Sequence, residues 1–359
     1  MYFFKPSIKT FINILKYYYS NSKKNPIQEL ESEIANLHNL KYAAIVGSGT
    51  DSLKLILDAL EIKNDDEIII PAYGCVALAE SIIHQNAIPV FVDIDNNSFN
   101  SSINEIYNKI SSKTKAVIFP YQFNEIADLN ILKKHLTHQK IYLIEDAAQA
   151  FCTNSNIGQF GDVTCFSFHP GKLPSGFDEC GAVACNNIQL INKIKLLRNH
   201  GYNNTSLPLS VGYNSQTSAT NAISILEVIG KLNNIREFNL KILSIIINKI
   251  KDMKYIEIYS TNNLNIKNIY HQPFIIFKSL ESLNLVSFLQ KNNIPVYFPY
   301  PKIIPEIVIY KKYSLKNNAF IESKNRVKEI FIISTNYFKK NSNTSKFIYL
   351  LNNYKKTIY

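Results

Sequence analysis

From about residue 40 to 190, short apolar runs alternate with amphipathic stretches, and this alternation constrains the fold more than any other feature. Lys41–Val46, Glu67–Ile70, Pro89–Val92, Lys115–Phe119, Ile141–Ile144, Val163–Phe168 and Gly181–Cys185 read as strands. They lack polar alternation, as strands covered on both faces do. The segment SLKLILDAL, Ser52–Leu60, carries apolar residues at helical spacing. Strand–helix alternation of this kind implies an α/β fold with a mostly parallel central sheet. Past a polar stretch at Asn203–Pro208 comes a long helical region from about Thr217 to Met253. The pattern then turns α+β, with strands expected at Pro273–Phe277 and Pro295–Phe298 and helices at Leu280–Lys291 and Thr344–Tyr354. The expected division is a large domain, 1–235, and a smaller C-terminal α+β domain, 236–359; the 359 residues are ample for two cores.

The formal net charge of +11 suits an anionic substrate as well as a nucleic acid or a membrane. The lysine pairs, such as Lys23-Lys24 and Lys339-Lys340, are short and scattered, and no nucleic-acid-binding signature accompanies them. No window has the apolar length of a membrane span, and the first twenty or so residues do not form a signal peptide. The five cysteines (Cys75, Cys152, Cys165, Cys180, Cys185) are odd in number and lack CxxC spacing, which argues against a disulfide framework or a zinc site. Cys165 and Cys185 lie in apolar runs as small core residues. The chain reads as a cytoplasmic protein with no metal.

Three segments carry chemistry. In Val46-Gly-Ser-Gly-Thr-Asp51, between a strand and a helix, glycines permit a tight turn, and first-turn amides with the Ser48 and Thr50 hydroxyls can hold a phosphate or simply cap the helix. The dinucleotide fingerprint fails at Ser52, and Gly171-Lys172 is no P-loop. Ile144-Glu-Asp-Ala-Ala-Gln149 ends an apolar strand, at the edge where open parallel sheets bind ligands. Asp146 there can keep a pyridine nitrogen protonated or cap the next segment, and Ala147 and Ala148 leave room for a flat ring. In Cys165-Phe-Ser-Phe-His-Pro-Gly-Lys172 a strand ends in a Pro-Gly turn that presents a lysine, either a surface lysine or one held for Schiff-base chemistry. His169 packs or lines a pocket.

The order of these parts resembles fold-type-I pyridoxal-phosphate (PLP) enzymes, and in particular the DegT/StrS family of sugar aminotransferases, which share the aspartate-aminotransferase fold. The resemblance runs from about Glu29 to the end. It is carried by GSGTDSL (47–53), IIIPAYGCVALAESIIHQNAIPVFVDID (68–95), IEDAAQA (144–150), SFHP-x-Lys172, LRNHG (197–201) and VGYN (211–214). It implies that Lys172 forms the Schiff base with PLP and shuttles protons, that Asp146 pairs with the ring nitrogen, and that Gln149 contacts the ring hydroxyl. Gly49, Thr50 and Asp51, with Ser167, would hold the phosphate. Asn214 would reach the cofactor of the partner subunit in a homodimer. The implied reaction moves an amino group, with glutamate as the expected donor, to a nucleotide-linked keto sugar, as in polysaccharide biosynthesis. Lysine rather than histidine at 172 sets the chain apart from the related sugar dehydratases.

Four departures cluster around the expected pocket. Cys75 stands where the family stacks an aromatic residue on the ring, with Tyr73 two positions earlier as a second ring-contact candidate. Gln216 replaces an expected cation, Asn124 a usual glycine, and Gly176-Phe-Asp-Glu-Cys-Gly-Ala182 a shorter glycine-rich stretch. They leave open a PLP-binding regulator or scaffold of the same fold, or an aminotransferase for a non-sugar substrate.

Overall fold

The expected alternation is realised as two sheets with helices packed on both faces of the larger one. The computed structural model describes residues 7–19, 25–96, 98–151, 156–203, 206–259, 274–313 and 319–354. In chain order the first half runs α1 (Ile8–Tyr19), α2 (Pro26–Leu37), β1 (Tyr42–Val46), α3 (Gly49–Ala59), β2 (Glu67–Pro71), α4 (Ala77–Ile83), β3 (Ile88–Val92), α5 (Ile103–Lys109), β4 (Thr114–Pro120), α6 (Asn130–His138), β5 (Tyr142–Asp146), β6 (Val163–Ser167) and β7 (Gly181–Cys185). The second half runs α7 (Ile188–Leu197), α8 (Ala219–Ile229), α9 (Leu232–Ile250), β8 (Glu257–Ile258), β9 (Phe274–Lys278), α10 (Ser282–Lys291), β10 (Val296–Tyr297), α11 (Ile321–Glu329), β11 (Ile330–Ser334) and α12 (Asn341–Tyr354).

The larger sheet has the order β1-β7-β6-β5-β4-β2-β3. Strands β2 to β6 pair in parallel, and β7 runs antiparallel between β1 and β6. Successive strand residues point to opposite faces, so each apolar run feeds two cores. Ala44, Val46, Ile68, Ile70, Ile118 and Ile144 join the core under α3, α4 and α7. Ala43, Ile45, Ile69, Val117, Phe119 and Leu143 join the one under α2, α6 and α8. The first core continues into the smaller antiparallel sheet, β10-β11-β9-β8, through Ile275, Phe277, Phe331 and Ile333.

Local chemistry sets the helix starts. Asn25 caps α2 ahead of Pro26, Ser48 caps α3 by accepting from the Asp51 N–H, and Asn187 and Ser218 cap α7 and α8. The long helical region expected after residue 217 is two helices, because α8 stops at Gly230 and α9 starts after Lys231. The strand expected from Pro273 is β9; Pro273 itself, like Cys152, lies outside the described residues. Cys165, Cys180 and Cys185 are buried and Cys75 is exposed, all four outside any disulfide. No described helix is long and apolar enough to cross a membrane.

Register gathers the chemistry at one edge. Asp146 ends β5 and Ser167 ends β6, while β1 and β6 place Val46 and Ser167 against Gly181 at the start of β7. A Cβ at Gly181 would lie 2.2 Å from the Ser48 carbonyl oxygen, so only glycine lets the turn into α3 pass this close to β7.

Candidate active site

A cavity of about 500 Å³ opens at this edge. Its wall includes Ser48, Gly49, Thr50, Cys75, Asp146, Gln149, Ser167 and Lys172, residues from separate stretches of the chain brought together by the strand order. The sequence missed others on the wall: Pro120 at the end of β4 with Tyr121 and Gln122 after it, Glu179 before β7, and Tyr300 after β10. Tyr300 sits in Phe298-Pro-Tyr-Pro301, and nothing local to that segment marks it as part of a site some 130 residues upstream.

Lys172 follows a turn in which its backbone N–H donates to the His169 carbonyl at 2.8 Å. Burial pushes its ammonium towards the neutral amine, while Cys75, Asp146 and Glu179 pull the other way. Asp146 is 9% exposed, and its Oδ1 accepts from the Ala148 N–H at 2.9 Å and the Cys165 thiol at 3.5 Å. Burial pushes its carboxyl up; the Ala148 bond, Lys172 and Cys165 restrain it. A half-buried lysine thus shares the wall with a buried carboxylate, and lost hydration disfavours the charged form of each.

The anion-binding end is the first turn of α3. Its N–H groups have no intrahelical acceptor, and the helix dipole adds positive potential there. A Cβ at Gly49 would sit 2.7 Å from the Ser167 Cβ and 2.9 Å from its Oγ, so glycine keeps the Ser167 hydroxyl against the turn. Asp51 is not on the cavity wall. Its Oδ2 accepts from the Ser215 hydroxyl at 2.9 Å and its Oδ1 lies 3.5 Å from the Lys54 Nζ. Ser215 also accepts from the Gly47 N–H at 3.0 Å, tying the segment around Asn214 to this turn. Asn214 itself is exposed, bridges Asn199 and stands off the wall of its own chain's cavity.

Gln149 is held at both ends. Its Oε1 accepts from the Phe123 N–H at 2.7 Å and its Nε2 donates to the Tyr300 hydroxyl at 2.7 Å. Phe123 and Asn124 both have positive φ, 52° and 68°, and asparagine tolerates this region where the resemblance expects glycine. Tyr73 is fully buried behind the wall, stacked with Phe99 and edge-on to Tyr300, while Cys75 is the one that lines the cavity. At the mouth, the Gly171 N–H donates to His169 Nδ1 at 2.9 Å, which leaves the ring proton on Nε2, 3.4 Å from Glu179.

Beneath the wall lies Glu145, unremarked in the sequence beside Asp146. It is fully buried and accepts four hydrogen bonds, from the Tyr121 hydroxyl and the N–H groups of Gly158, Phe160 and Gly161. It pins the 158–161 segment to the end of β5.

Known proteins place this architecture. A UDP-N-acetyl-3-dehydro-alpha-D-glucosamine 3-aminotransferase of Acidithiobacillus ferrooxidans is 36% identical over 202 residues, 55% of each chain. A GDP-perosamine synthase of Vibrio cholerae is 36% identical over 185 residues, 50% of each chain. These matches therefore span about half the length of those relatives. A dTDP-4-amino-4,6-dideoxy-D-glucose transaminase of Shigella dysenteriae is 27% identical over 314 residues, 85% of each chain. Among solved structures, S. venezuelae DesV in complex with a ketimine intermediate superposes with a TM-score of 0.86 at 20% identity, covering 96% of this chain and 94% of that one. The aminotransferase TlmJ of Streptoalloteichus hindustanus gives 0.87 at 16% identity, covering 100% and 99%. The fold is that of these two structures. Residues 7–337 match one family throughout, and the chain belongs to the DegT/DnrJ/EryC1/StrS aminotransferase family.

Proposed function

We propose that the protein is a PLP-dependent aminotransferase that moves an amino group, with glutamate as donor, to a nucleotide-linked keto sugar. The observation that carries this reading is the facing of Lys172 and Asp146 across a cavity whose far end is the α3 first turn.

The residues present fit the cofactor. Gly49, Thr50 and Ser167 offer donors to a phosphate, Asp146 offers a carboxylate to a ring nitrogen, Gln149 an amide N–H to a ring oxygen, and Lys172 an amine to the aldehyde. Bound there, PLP supplies an electron sink that lets a substrate C–H bond break as an acid. The chain does the rest. Lost hydration makes the Lys172 amine give up its proton more readily than a surface lysine, so it can act as nucleophile and then as base at Nζ. Burial raises the Asp146 carboxyl, and a protonated ring nitrogen beside it would offset that by favouring the charged form. Cys75, small where the resemblance expects an aromatic ring, lines the same cavity.

The sugar substrate is supported by the activities of the relatives and by the net charge of +11, which draws in a diphosphate. We place the active unit as a homodimer, with exposed Asn214 beside the α3 turn available to the partner's site. The thiols outside disulfides suit the reducing cytoplasm. The smaller C-terminal unit is taken to begin near residue 236, within α9 between the two sheets.

Mixing the holoprotein with excess glutamate tests the reading. Loss of the bound cofactor's visible absorbance, with release of 2-oxoglutarate and formation of the pyridoxamine form, supports it. Cofactor binding without conversion by any amino donor would instead favour a regulator. Amination of keto acids but no nucleotide-linked keto sugar would remove the sugar.

A further inference from the structure

We propose that Tyr300 is a second hydrogen-bond donor to the cofactor's ring oxygen, acting beside Gln149, so that the smaller sheet's connecting segment completes the cofactor site. The inference rests on the PLP reading above.

The geometry begins with Gln149. Its Oε1 accepts from a backbone N–H, so the amide cannot turn over without setting NH₂ against N–H. Its Nε2 therefore faces Tyr300, and in that 2.7 Å bond the amide nitrogen can only donate. The Tyr300 oxygen is the acceptor, and its own hydrogen is left to be given elsewhere. Among the described residues the Tyr300 hydroxyl makes no other hydrogen bond. It lies on the wall of the cavity that holds Lys172, Asp146 and Cys75. Both groups thus bring donors to the same region, where the resemblance assigns a ring oxygen to Gln149 alone.

The ring that carries the hydroxyl is fixed. It stands edge-on to Tyr73, with centroids 5.2 Å apart at 87°, and 6.0 Å from Phe123. Burial, then Cys75, push the phenol well above its ordinary range, so it stays a donor across the working pH. The other titratable groups on this wall are Asp146, Lys172, His169, Glu179 and Tyr121, with Tyr73 behind.

A donor on the ring oxygen draws off its negative charge. The neighbouring nitrogen that Lys172 contributes then holds its proton less tightly, and the pH midpoint of the bound cofactor's visible band falls. Removing the donor raises the midpoint. A hydrogen bond to a charged oxygen corresponds to about one to two pH units.

The test is a spectral pH titration of the holoprotein for wild type, Tyr300→Phe, Gln149→Ala and the double variant, with cofactor occupancy measured alongside. Expected is an upward shift of about one unit or more for Y300F, and a further shift when Y300F is added to Q149A. Tyr300→Leu should shift the midpoint in the same direction. An unshifted midpoint in fully occupied Y300F overturns the proposal, as does a shift that vanishes in the Q149A background, which would make Tyr300 only a prop for the amide. A wild-type protein that binds no PLP refutes the parent reading instead, and this proposal with it.

Discussion

Glu145→Gln probes how the end of β5 is built. Each carboxylate oxygen takes two donors: Oε1 those of Phe160 and Gly161, Oε2 those of Tyr121 and Gly158. An amide has one acceptor oxygen, so two of the four donors must face NH₂. If the amide nitrogen turns to Phe160 and Gly161, two buried N–H groups are stranded. If it turns to Tyr121 and Gly158, the tyrosine hydroxyl can rotate to accept and only Gly158 is stranded. At about 1–3 kcal/mol for each stranded donor, the second arrangement wins, and the net loss should be about 1–3 kcal/mol. Tyr121→Phe should cost less, about 1 kcal/mol, because three donors remain on the carboxylate. Urea unfolding of the apoprotein, followed by circular dichroism, gives both values from midpoint shifts at unchanged slope. A loss below about 0.5 kcal/mol for E145Q would mean that the four bonds do not bear on folding as argued.

Asp146→Asn should leave cofactor in place but lower turnover by about a hundred-fold or more, since a lost buried ion pair is worth about 3 kcal/mol; kcat with the bound cofactor quantified checks this. Gly49→Ala drives a methyl into Ser167 and should weaken PLP binding to the apoprotein at least about ten-fold, read by fluorescence titration, while a control Gly230→Ala, whose Cβ meets nothing nearer than 3.6 Å, should bind as wild type. His38 packs its ring on Phe151 and Phe166, and burial holds its pKa down at about 4. Below about pH 6.5 the unfolded chain takes up a proton there that the native chain refuses, so stability present at neutral pH falls as the solution is acidified. Between pH 7 and 5 that loss is about 2 kcal/mol, and His38→Gln should flatten this part of the curve in urea unfolding.

The larger sheet was legible because its strands are buried on both faces and stand out as unbroken apolar runs between helical segments. Lys172, Asp146 and the α3 turn were legible for a related reason: each follows the end of one such run, where ligands gather in a parallel sheet. Tyr300 and Gln122 were not, because their places on the cavity wall come from chain packing rather than from local pattern. Glu145 was hidden by Asp146: two adjacent acids look alike in sequence, and only the alternation along β5 sends one towards the cavity and the other to the buried 158–161 segment. The split between α8 and α9 was also missed, since a single Gly230 inside apolar periodicity does not announce a helix end.

Borohydride reduction of the PLP-loaded protein, followed by peptide mass mapping, bears most directly on the chemistry assigned to this cavity. The account predicts one cofactor mass per chain, on the peptide that contains Lys172, and none in Lys172→Ala. Reduction that fixes the cofactor to another lysine, or leaves all of it dialysable, would contradict it.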